Sequence, residues 1–377
     1  MDPQLALFTL LLALAFANGT NDVSKAIATL VGSGIANYRT AIVWGTAWTV
    51  LGACTASLVA TAMVKTFSSG LITPGTATPP ILALAVLLGA MSWVLIASRT
   101  GLPVSTTHAL TGAIVGAGVA AFAGEALIWS AIGKKIALPL FLSPLLALIL
   151  SVLLHPTLRR VAARWEGACL CLIPSSRALV TIDAKGMTRT LFQPIGAGQP
   201  VVAVPNQCDR VGLKGLSVGL ESVHWISSGL ASFARGVNDA PKIAAMVLLG
   251  TAATSWPSPT FQVMTFIGVA AAMGLGSYLG GLRVTEVLAE KVTTMDHAEG
   301  LSANLTTSSL VLISATMGLP VSTTHVSSSA IIGIGLVKGV DAVQWKTVRN
   351  MVLAWIVTLP AAGLLAWLAY FLLLRIG

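Results

Sequence analysis

Long runs of hydrophobic residues follow one another along most of this chain, separated by short polar segments. A helix needs about 20 apolar residues to cross the hydrocarbon core of a bilayer, and we count about ten to twelve hydrophobic elements, some too short to cross alone. The pattern therefore predicts an all-α polytopic membrane protein. The clearest candidate spans are 81–97, 136–154, 261–282 and 351–374.

Two halves of the chain carry the same motifs at a constant spacing. The octapeptide Gly-Leu-Pro-Val-Ser-Thr-Thr-His ends at His108 and again at His325, an offset of 325 − 108 = 217 residues. The Asn-Asp pair at 21–22 recurs at the same offset, at 238–239. Paired motifs at corresponding points of two membrane repeats indicate a binding site shared by the two halves.

Composition excludes a soluble protein. Charged residues make up 9% of the 377, hydrophobic residues 55%, and the mean hydropathy is +0.86. A typical soluble domain has roughly 25% charged residues. The formal net charge of +9 requires no nucleic-acid partner, because loop lysines and arginines beside an anionic leaflet account for it.

The longest polar stretch lies between the two repeats. Residues 156–220 contain eight basic and three acidic side chains. Because basic residues are enriched in the cytoplasmic loops of membrane proteins, this linker is predicted to be cytoplasmic. We therefore expect a multi-pass protein of the cytoplasmic membrane, with short strands in the linker at 179–183 and 201–204. Its parts are a first membrane repeat (1–155), the linker and a second membrane repeat (221–377).

Asp22 is the first candidate for chemistry. No Asp or Glu occurs from 23 to 124, and Asp239 is its repeat partner. A carboxylate within a membrane is tolerated mainly where it faces a partner, a bound ion or water. Lys25 and Lys242 each follow an aspartate by three residues, on the same helix face, so a purely structural ion pair is the alternative reading.

Glycines precede both Asn-Asp steps and predict that each membrane helix is interrupted there, at Gly19 and Gly236. An interruption frees backbone carbonyls, which at membrane depth must face protein or a hydrated cavity. Together with the side-chain oxygens of Asn21 and Asn238, such carbonyls would suit a small cation such as sodium. They could equally accept protons from a protonated oxyanion.

The repeated octapeptides predict two helix starts rich in hydroxyl groups. Pro103 and Pro320 suit the first turn of a helix, reached from turns at Gly101 and Gly318. Hydroxyls and unpaired backbone amides at the positive end of a helix favour an oxyanion, although N-capping is the alternative. His108 and His325 either relay protons or orient a hydroxyl. The hydroxyl residues are Ser105, Thr106, Thr107, Ser322, Thr323 and Thr324.

These motifs and the basic linker together resemble the inorganic phosphate transporter (PiT) family of cation-coupled symporters, over 5–155 and 221–375. The resemblance implies two inverted-topology repeats with broken helices and helical hairpins, and both termini outside. It implies phosphate at Asn21, Asp22, Ser105, Thr106, Thr107, Asn238, Asp239, Ser322, Thr323 and Thr324. The coupling cation, sodium or a proton, would meet Asp22, Asp239, Asn21, Asn238 and Glu286.

The chain departs from the family at the two lysines. The family usually has Asn where this chain has Lys25 and Lys242, and an Asn there would be a natural sodium ligand. A fixed positive charge in both halves favours a proton over sodium as the coupling cation. The lysines would also modulate the site charge, since each lies about one turn from an Asn-Asp step. Apart from a sodium ion, we expect no metal or cofactor.

The identity of the anion depends on the two aspartates. Phosphate near neutral pH carries protons and can donate hydrogen bonds to a carboxylate, whereas sulfate cannot. Phosphate is therefore favoured, provided that cations or lysines do not already occupy the carboxylates. Sulfate or another oxyanion on the same fold remains an alternative, as does a passive anion channel.

An enzyme is not expected. Paired aspartates also occur in aspartyl proteases, but the Gly-x-Gly-Asp context expected for an intramembrane protease is absent here. The prediction is a secondary active transporter that imports inorganic phosphate by cation symport. A homo-oligomer is compatible with the sequence.

Overall fold

The computed structural model describes residues 2–76, 78–164, 169–173, 176–182, 188–194, 199–203 and 217–376. The first half contains α1 (Pro3–Asp22), α2 (Ser24–Gly32), α3 (Tyr38–Val59), α4 (Thr61–Ser68), α5 (Pro80–Thr100), α6 (Thr106–Phe122) and α7 (Trp129–Ala163). The second half contains α8 (Leu220–Gly250), α9 (Pro259–Gly280), α10 (Leu282–Glu290), α11 (His297–Thr316), α12 (Thr323–Lys338) and α13 (Trp345–Ile376). The sequence repeat is therefore also a repeat of helices.

The predicted all-α membrane architecture is confirmed. Six helical segments in the described part of the chain are long and apolar enough to span a membrane. α8 and α11 are not among them because their many polar side chains lower the hydropathy, yet those side chains are largely buried inside the protein. The six segments are Pro3–Gly32, Tyr38–Val59, Pro80–Thr100, Trp129–Ala163, Pro259–Gly280 and Trp345–Ile376.

Local sequence signals explain where several helices begin and end. The side-chain oxygens of Asn37 and Ser258 accept backbone N–H groups at the starts of α3 and α9. Gly101 ends α5 in a left-handed conformation with φ of +75°, and Gly318 adopts φ of +68° at the matching point after α11. The turns predicted before Pro103 and Pro320 are therefore present, but the helices begin three residues after the prolines, at Thr106 and Thr323, so the prolines do not lie in a first helical turn.

Neither helix is interrupted at the predicted glycine, although the first-half helix is divided four residues after Gly19, at Val23. Gly19 lies within α1, and α8 is continuous through Gly236 and Pro241. Val23, between α1 and α2, has φ of −59° and ψ of −34°, which remain helical. Both glycines instead allow close helix packing, because a Cβ atom at either position would collide with the backbone of a neighbouring helix.

Helix directions show that the two repeats are inverted. α2 and α3 run antiparallel, since residues 33–37 join them and Ile27 packs against Gly45. α3 runs parallel to α8, with Trp48 beside Gly229 and Gly52 beside Phe233. α8 is therefore antiparallel to the α1–α2 span. α9 lies parallel to α1, so each repeat packs its first helix against the second long helix of the other.

The linker contains five described strands. β1 (Cys169–Ile173) pairs antiparallel with β4 (Gln199–Ala203) and β5 (Ser217–Val218), while β2 (Ser176–Ile182) and β3 (Thr188–Pro194) form a separate antiparallel pair. β2 and β4 lie where strands were predicted, except that Asp183 and Val204 fall outside the described residues. α7 continues through Pro156 to Ala163, beyond the predicted start of the linker.

Candidate functional site

Two buried ion pairs form the centre of the protein. The Lys25 Nζ group donates to Asp22 Oδ1, and the Lys242 Nζ group lies 3.2 Å from Asp239 Oδ1. Each pair is separated by three residues on one helix, and all four side chains are at most 3% exposed. Removing one partner of such a pair would leave an uncompensated buried charge, which is strongly destabilising.

Asn18 connects the two halves at this centre. Its Nδ2 group lies 3.1 Å from Asp22 Oδ2, 3.0 Å from Thr106 Oγ1 and 3.4 Å from Asp239 Oδ2. One side chain of α1 thus contacts carboxylates of both repeats and a hydroxyl at the start of α6. Asn18 lies one turn before Asp22, so both side chains project from the same helix face.

The two octapeptides meet across the pseudo-symmetric centre. The Thr324 hydroxyl donates to the Val104 carbonyl at 2.7 Å, and the Thr107 hydroxyl lies 3.3 Å from the Val321 carbonyl. Each threonine therefore bonds to the chain just before the helix of the other repeat. The helix starts that the sequence placed in separate halves form one site.

The two asparagines of the Asn-Asp steps bind the segments that precede these helices. Asn21 donates to the Leu102 carbonyl at 3.0 Å and accepts from the Val104 amide at 3.1 Å. Asn238 Nδ2 lies 3.3 Å from the Val321 carbonyl, and its side-chain oxygen has no hydrogen-bond partner among the described residues. Because α8 is continuous and Val23 keeps helical angles, the described structure shows no opened stretch of backbone in either helix at the site.

The six hydroxyl residues divide into two roles. Ser105 and Ser322 accept the backbone N–H groups of His108 and His325, each at 3.2 Å, so the capping interpretation holds for both serines. The four threonines are buried: Thr107 and Thr324 make the cross-repeat contacts described above, and Thr106 accepts from Asn18 of its own repeat. The fourth, Thr323, makes no side-chain hydrogen bond within the described residues.

The two histidines stack instead of orienting hydroxyls. The ring centroids of His108 and His325 lie 4.4 Å apart, and His325 also packs against Trp355 at 4.1 Å. The Nδ1 atoms of both histidines have no hydrogen-bond partner in the described part of the chain. The two imidazoles therefore contact each other between the first turns of α6 and α12.

Arg235 is a central residue that the sequence reading missed. It is 1% exposed, its Nη2 group donates to Ser277 Oγ at 3.2 Å, and its Nε and Nη1 groups have no protein partner in the described structure. It precedes Asp239 by one turn and occupies the repeat position of Asn18, since 235 − 217 = 18. The sequence signal that could have identified Arg235 is a charged residue among apolar ones, at the repeat position of Asn18.

Glu286 is the one predicted site residue that lies away from the centre. It is on α10, half-buried, and it makes no hydrogen bond to any central residue described. α10 packs beside the end of α2, where Gly32 contacts Ala289. Gly32 is ten residues beyond Asp22, a rise of roughly 15 Å along a helix. The structure therefore brings together all of the predicted binding residues except Glu286.

A buried polar seam leads from the centre towards the linker. Asn304 of α11 donates to Thr29 at 2.9 Å and to Ser227 at 3.3 Å, and Ser302 contacts His155 at 3.2 Å. Thr29 lies two turns beyond Asp22, and His155 lies near the end of α7 that continues into the linker. These five residues are called the polar seam below.

The opposite end of the molecule lacks this polarity at the matching positions. α5 corresponds to α11, and Ser302 and Asn304 correspond to Ala85 and Leu87, both fully buried. On the side of the linker, the central residues therefore adjoin buried polar groups. On the opposite side they adjoin packed apolar side chains. The two inverted repeats are not equivalent in this structure.

Comparison with known proteins gives consistent matches over the whole chain. The model of the phosphate transporter family matches residues 18–366. A Bacillus subtilis protein named "Probable low-affinity inorganic phosphate transporter" is 30% identical, over 96% of this chain and 94% of its own length. A Rhizobium meliloti protein of the same name is 29% identical, over 98% of each.

A solved structure shares the fold. The protein, named "The sodium-dependent phosphate transporter", superposes with a TM-score of 0.71 over 100% of both chains at 22% identity. At that identity the similarity supports the architecture only. The residues at the centre of this chain must therefore be interpreted from their own contacts.

Proposed function

Because this chain belongs to the phosphate transporter family, we propose that it imports inorganic phosphate across the cytoplasmic membrane by symport with a cation, a proton or sodium. Phosphate would bind at the centre, between the Asn-Asp steps and the helix starts at Thr106 and Thr323. The linker would face the cytoplasm, because basic residues are enriched in the cytoplasmic loops of membrane proteins.

The excess of buried positive charge is the observation that carries this proposal. Lys25, Lys242 and Arg235 are cationic, whereas Asp22 and Asp239 are the only carboxylates among the central residues described, a formal excess of one positive charge. A buried charge without a partner is costly. A bound anion beside Arg235 would balance the charge and supply acceptors for its two unpaired N–H groups.

The surrounding polar groups suit an oxyanion. The threonine hydroxyls at the starts of α6 and α12 are buried beside the positive ends of both helices. Replacing the hydration shell of a tetrahedral anion requires donors from several directions. Donors from two inverted repeats and an arginine from α8 would provide them.

The argument from carboxylate acceptors no longer distinguishes phosphate from sulfate. Asp22 already accepts from Lys25 and Asn18, and Asp239 from Asn238 and Lys242. The condition attached to that argument, carboxylates free of lysines, is therefore not met. Membership of the family is what favours phosphate over sulfate here.

The polar seam supports release towards the linker end. A dissociating anion passing Thr29, Ser227 and Asn304 would meet hydrogen-bonding groups, whereas Leu87 and its neighbours would offer none. The central side chains are buried from both ends, as expected for an occluded intermediate of alternating access.

Uptake of radiolabelled phosphate into proteoliposomes tests the proposal. The protein would be assayed under an imposed pH gradient, a sodium gradient or neither, with excess unlabelled sulfate as competitor. Variants Asp22→Asn and Asp239→Asn would be compared with Asp341→Asn, which removes an exposed carboxylate outside the site. Equal insertion of all variants would be verified by quantifying protein in the vesicles.

We expect gradient-driven uptake that sulfate does not inhibit, that both central variants lose and that Asp341→Asn retains. Uptake that proceeds equally without any cation gradient would indicate a passive channel. Inhibition by sulfate would replace phosphate with a wider class of oxyanions, and no uptake under any gradient would refute the proposal.

A further inference from the structure

Two oxygen cages at the centre are occupied by side-chain cations. We infer that the ammonium groups of Lys25 and Lys242 fill the positions that free coupling cations would otherwise take, so that transport by this chain requires no sodium. The inference rests on the proposed function, because it concerns the cation that accompanies phosphate. It goes further by assigning a cation-replacing role to two residues.

The cage around Lys242 contains the oxygen types that hard cations prefer. Its Nζ group lies 2.7 Å from the Thr107 hydroxyl, 3.1 Å from the Val321 carbonyl and 3.2 Å from an Asp239 carboxylate oxygen. Carboxylate, carbonyl and hydroxyl oxygens are also the ligands of hard metal cations. An ammonium group has three N–H donors, and these three oxygens match all of them.

The cage around Lys25 is its repeat copy. Its Nζ group donates to Asp22 and lies 3.1 Å from the Val104 carbonyl, the repeat counterpart of the Val321 carbonyl. Only these two oxygens accept from Lys25 in the described structure: the Thr324 hydroxyl donates to the Val104 carbonyl, as Thr107 does to Val321, but makes no hydrogen bond to the lysine. Two cages of the same origin thus each hold one ammonium group within the protein.

Both central carboxylates already accept from an ammonium group. A sodium ion would have to displace the ammonium from its aspartate or bind beside it, and like charges at such short range repel. The lysines are attached to α2 and α8, so their charge moves with the protein and is never released. The structural alternative, two ordinary ion pairs, predicts no sodium binding when either lysine is replaced.

Substitution with asparagine distinguishes these readings. The double variant Lys25→Asn, Lys242→Asn removes both ammonium groups and offers an amide oxygen close to each aspartate. The double variant Lys25→Met, Lys242→Met is the control, since it removes the same charges without adding an oxygen ligand. Wild type and both variants would be assayed for phosphate uptake, and for melting temperature in detergent, with sodium replaced stepwise by N-methylglucamine.

We expect wild-type uptake to change by less than about twofold on sodium replacement, because ionic strength and therefore screening are held constant. The melting temperature of the asparagine variant should rise with sodium, through binding to the native state, and that of wild type should not. The methionine variant keeps the cage oxygens but gains no amide ligand, so its melting temperature should rise less than that of the asparagine variant. If the asparagine variant folds only in sodium, the same conclusion follows.

Two results would overturn the inference. One is wild-type uptake that saturates with sodium concentration, and the other is an asparagine variant whose melting temperature ignores sodium. A failure of the proposed function is distinguishable from both: wild type would then transport no phosphate, while the sodium dependence of the variants' melting temperatures would still report on the cages.

Discussion

Replacing Gly236 with alanine should destabilise the protein and impair transport, although alanine is the better helix former. Gly236 lies inside α8, one turn before Asp239, where α8 packs against α3. A Cβ atom there would overlap the Thr49 carbonyl oxygen and lie 2.7 Å from the Ala53 nitrogen and 3.0 Å from the Gly52 carbonyl carbon. All three are backbone atoms, so no side chain can rotate to make room.

The size of the effect follows from these contacts. Ordinary contact begins at 3.4 Å, so the Ala53 nitrogen alone requires α3 and α8 to separate by about 0.7 Å and the nearer Thr49 oxygen requires more. Overpacking of this kind costs about 1–3 kcal/mol. Alanine regains about 1 kcal/mol of helix propensity. Since backbone atoms cannot yield easily, we expect the upper part of that range and a net loss of about 1–2 kcal/mol.

Melting temperature in detergent and phosphate uptake would measure the effect. The control is Gly268→Ala on α9, where a Cβ atom would meet only the Leu12 side chain at 3.4 Å. That variant should be at least as stable as wild type. Gly236→Ala should melt several degrees lower and lose uptake, since displacing α8 moves Asp239 and Lys242. Equal stability of the two variants would refute the packing argument and revive a flexible hinge at Gly236.

Three further substitutions test other parts of the site. Arg235→Gln should lower phosphate affinity roughly ten- to hundredfold, because a hydrogen bond to a charged group contributes about that much. An unchanged phosphate concentration at half-maximal uptake would exclude contact between Arg235 and phosphate. Asn18→Ala should lower the free energy of unfolding by about 1–3 kcal/mol, because its acceptors lose a buried donor, and chemical denaturation measures this. Asn304→Leu should slow uptake without lowering phosphate binding, because it breaks the polar seam; a matching loss of binding would argue against a release route.

The sequence determined the architecture because the relevant signals are local or strictly periodic. Apolar runs predict membrane helices wherever they occur, since backbone groups in lipid must be satisfied within a helix. The offset of 217 residues identified the corresponding positions of the two repeats, and nearly all residues at the centre carry that signature. Glycine at 101 and 318 predicted the turns that end α5 and α11.

Prediction from local sequence failed where one residue type can serve two structural purposes. Gly19 and Gly236 suggested breaks in α1 and α8, but glycine also serves where two backbones approach closely, and only the neighbouring helices distinguish these cases. Glu286 was assigned to the centre by resemblance alone. Its distance from Asp22 depends on where α10 packs against α2, which a single sequence does not encode locally.

The partners of the charged groups were decided by tertiary structure. The spacing of Asp22 and Lys25 made an ion pair available, but whether the lysine also reaches the Val104 carbonyl depends on how α6 approaches α2. The chemistry of this site arises from contacts such as Thr107 with Val321, between residues more than two hundred positions apart. Hydropathy and motif spacing act along the chain, whereas charge balance in a buried site depends on which side chains the packed helices bring together.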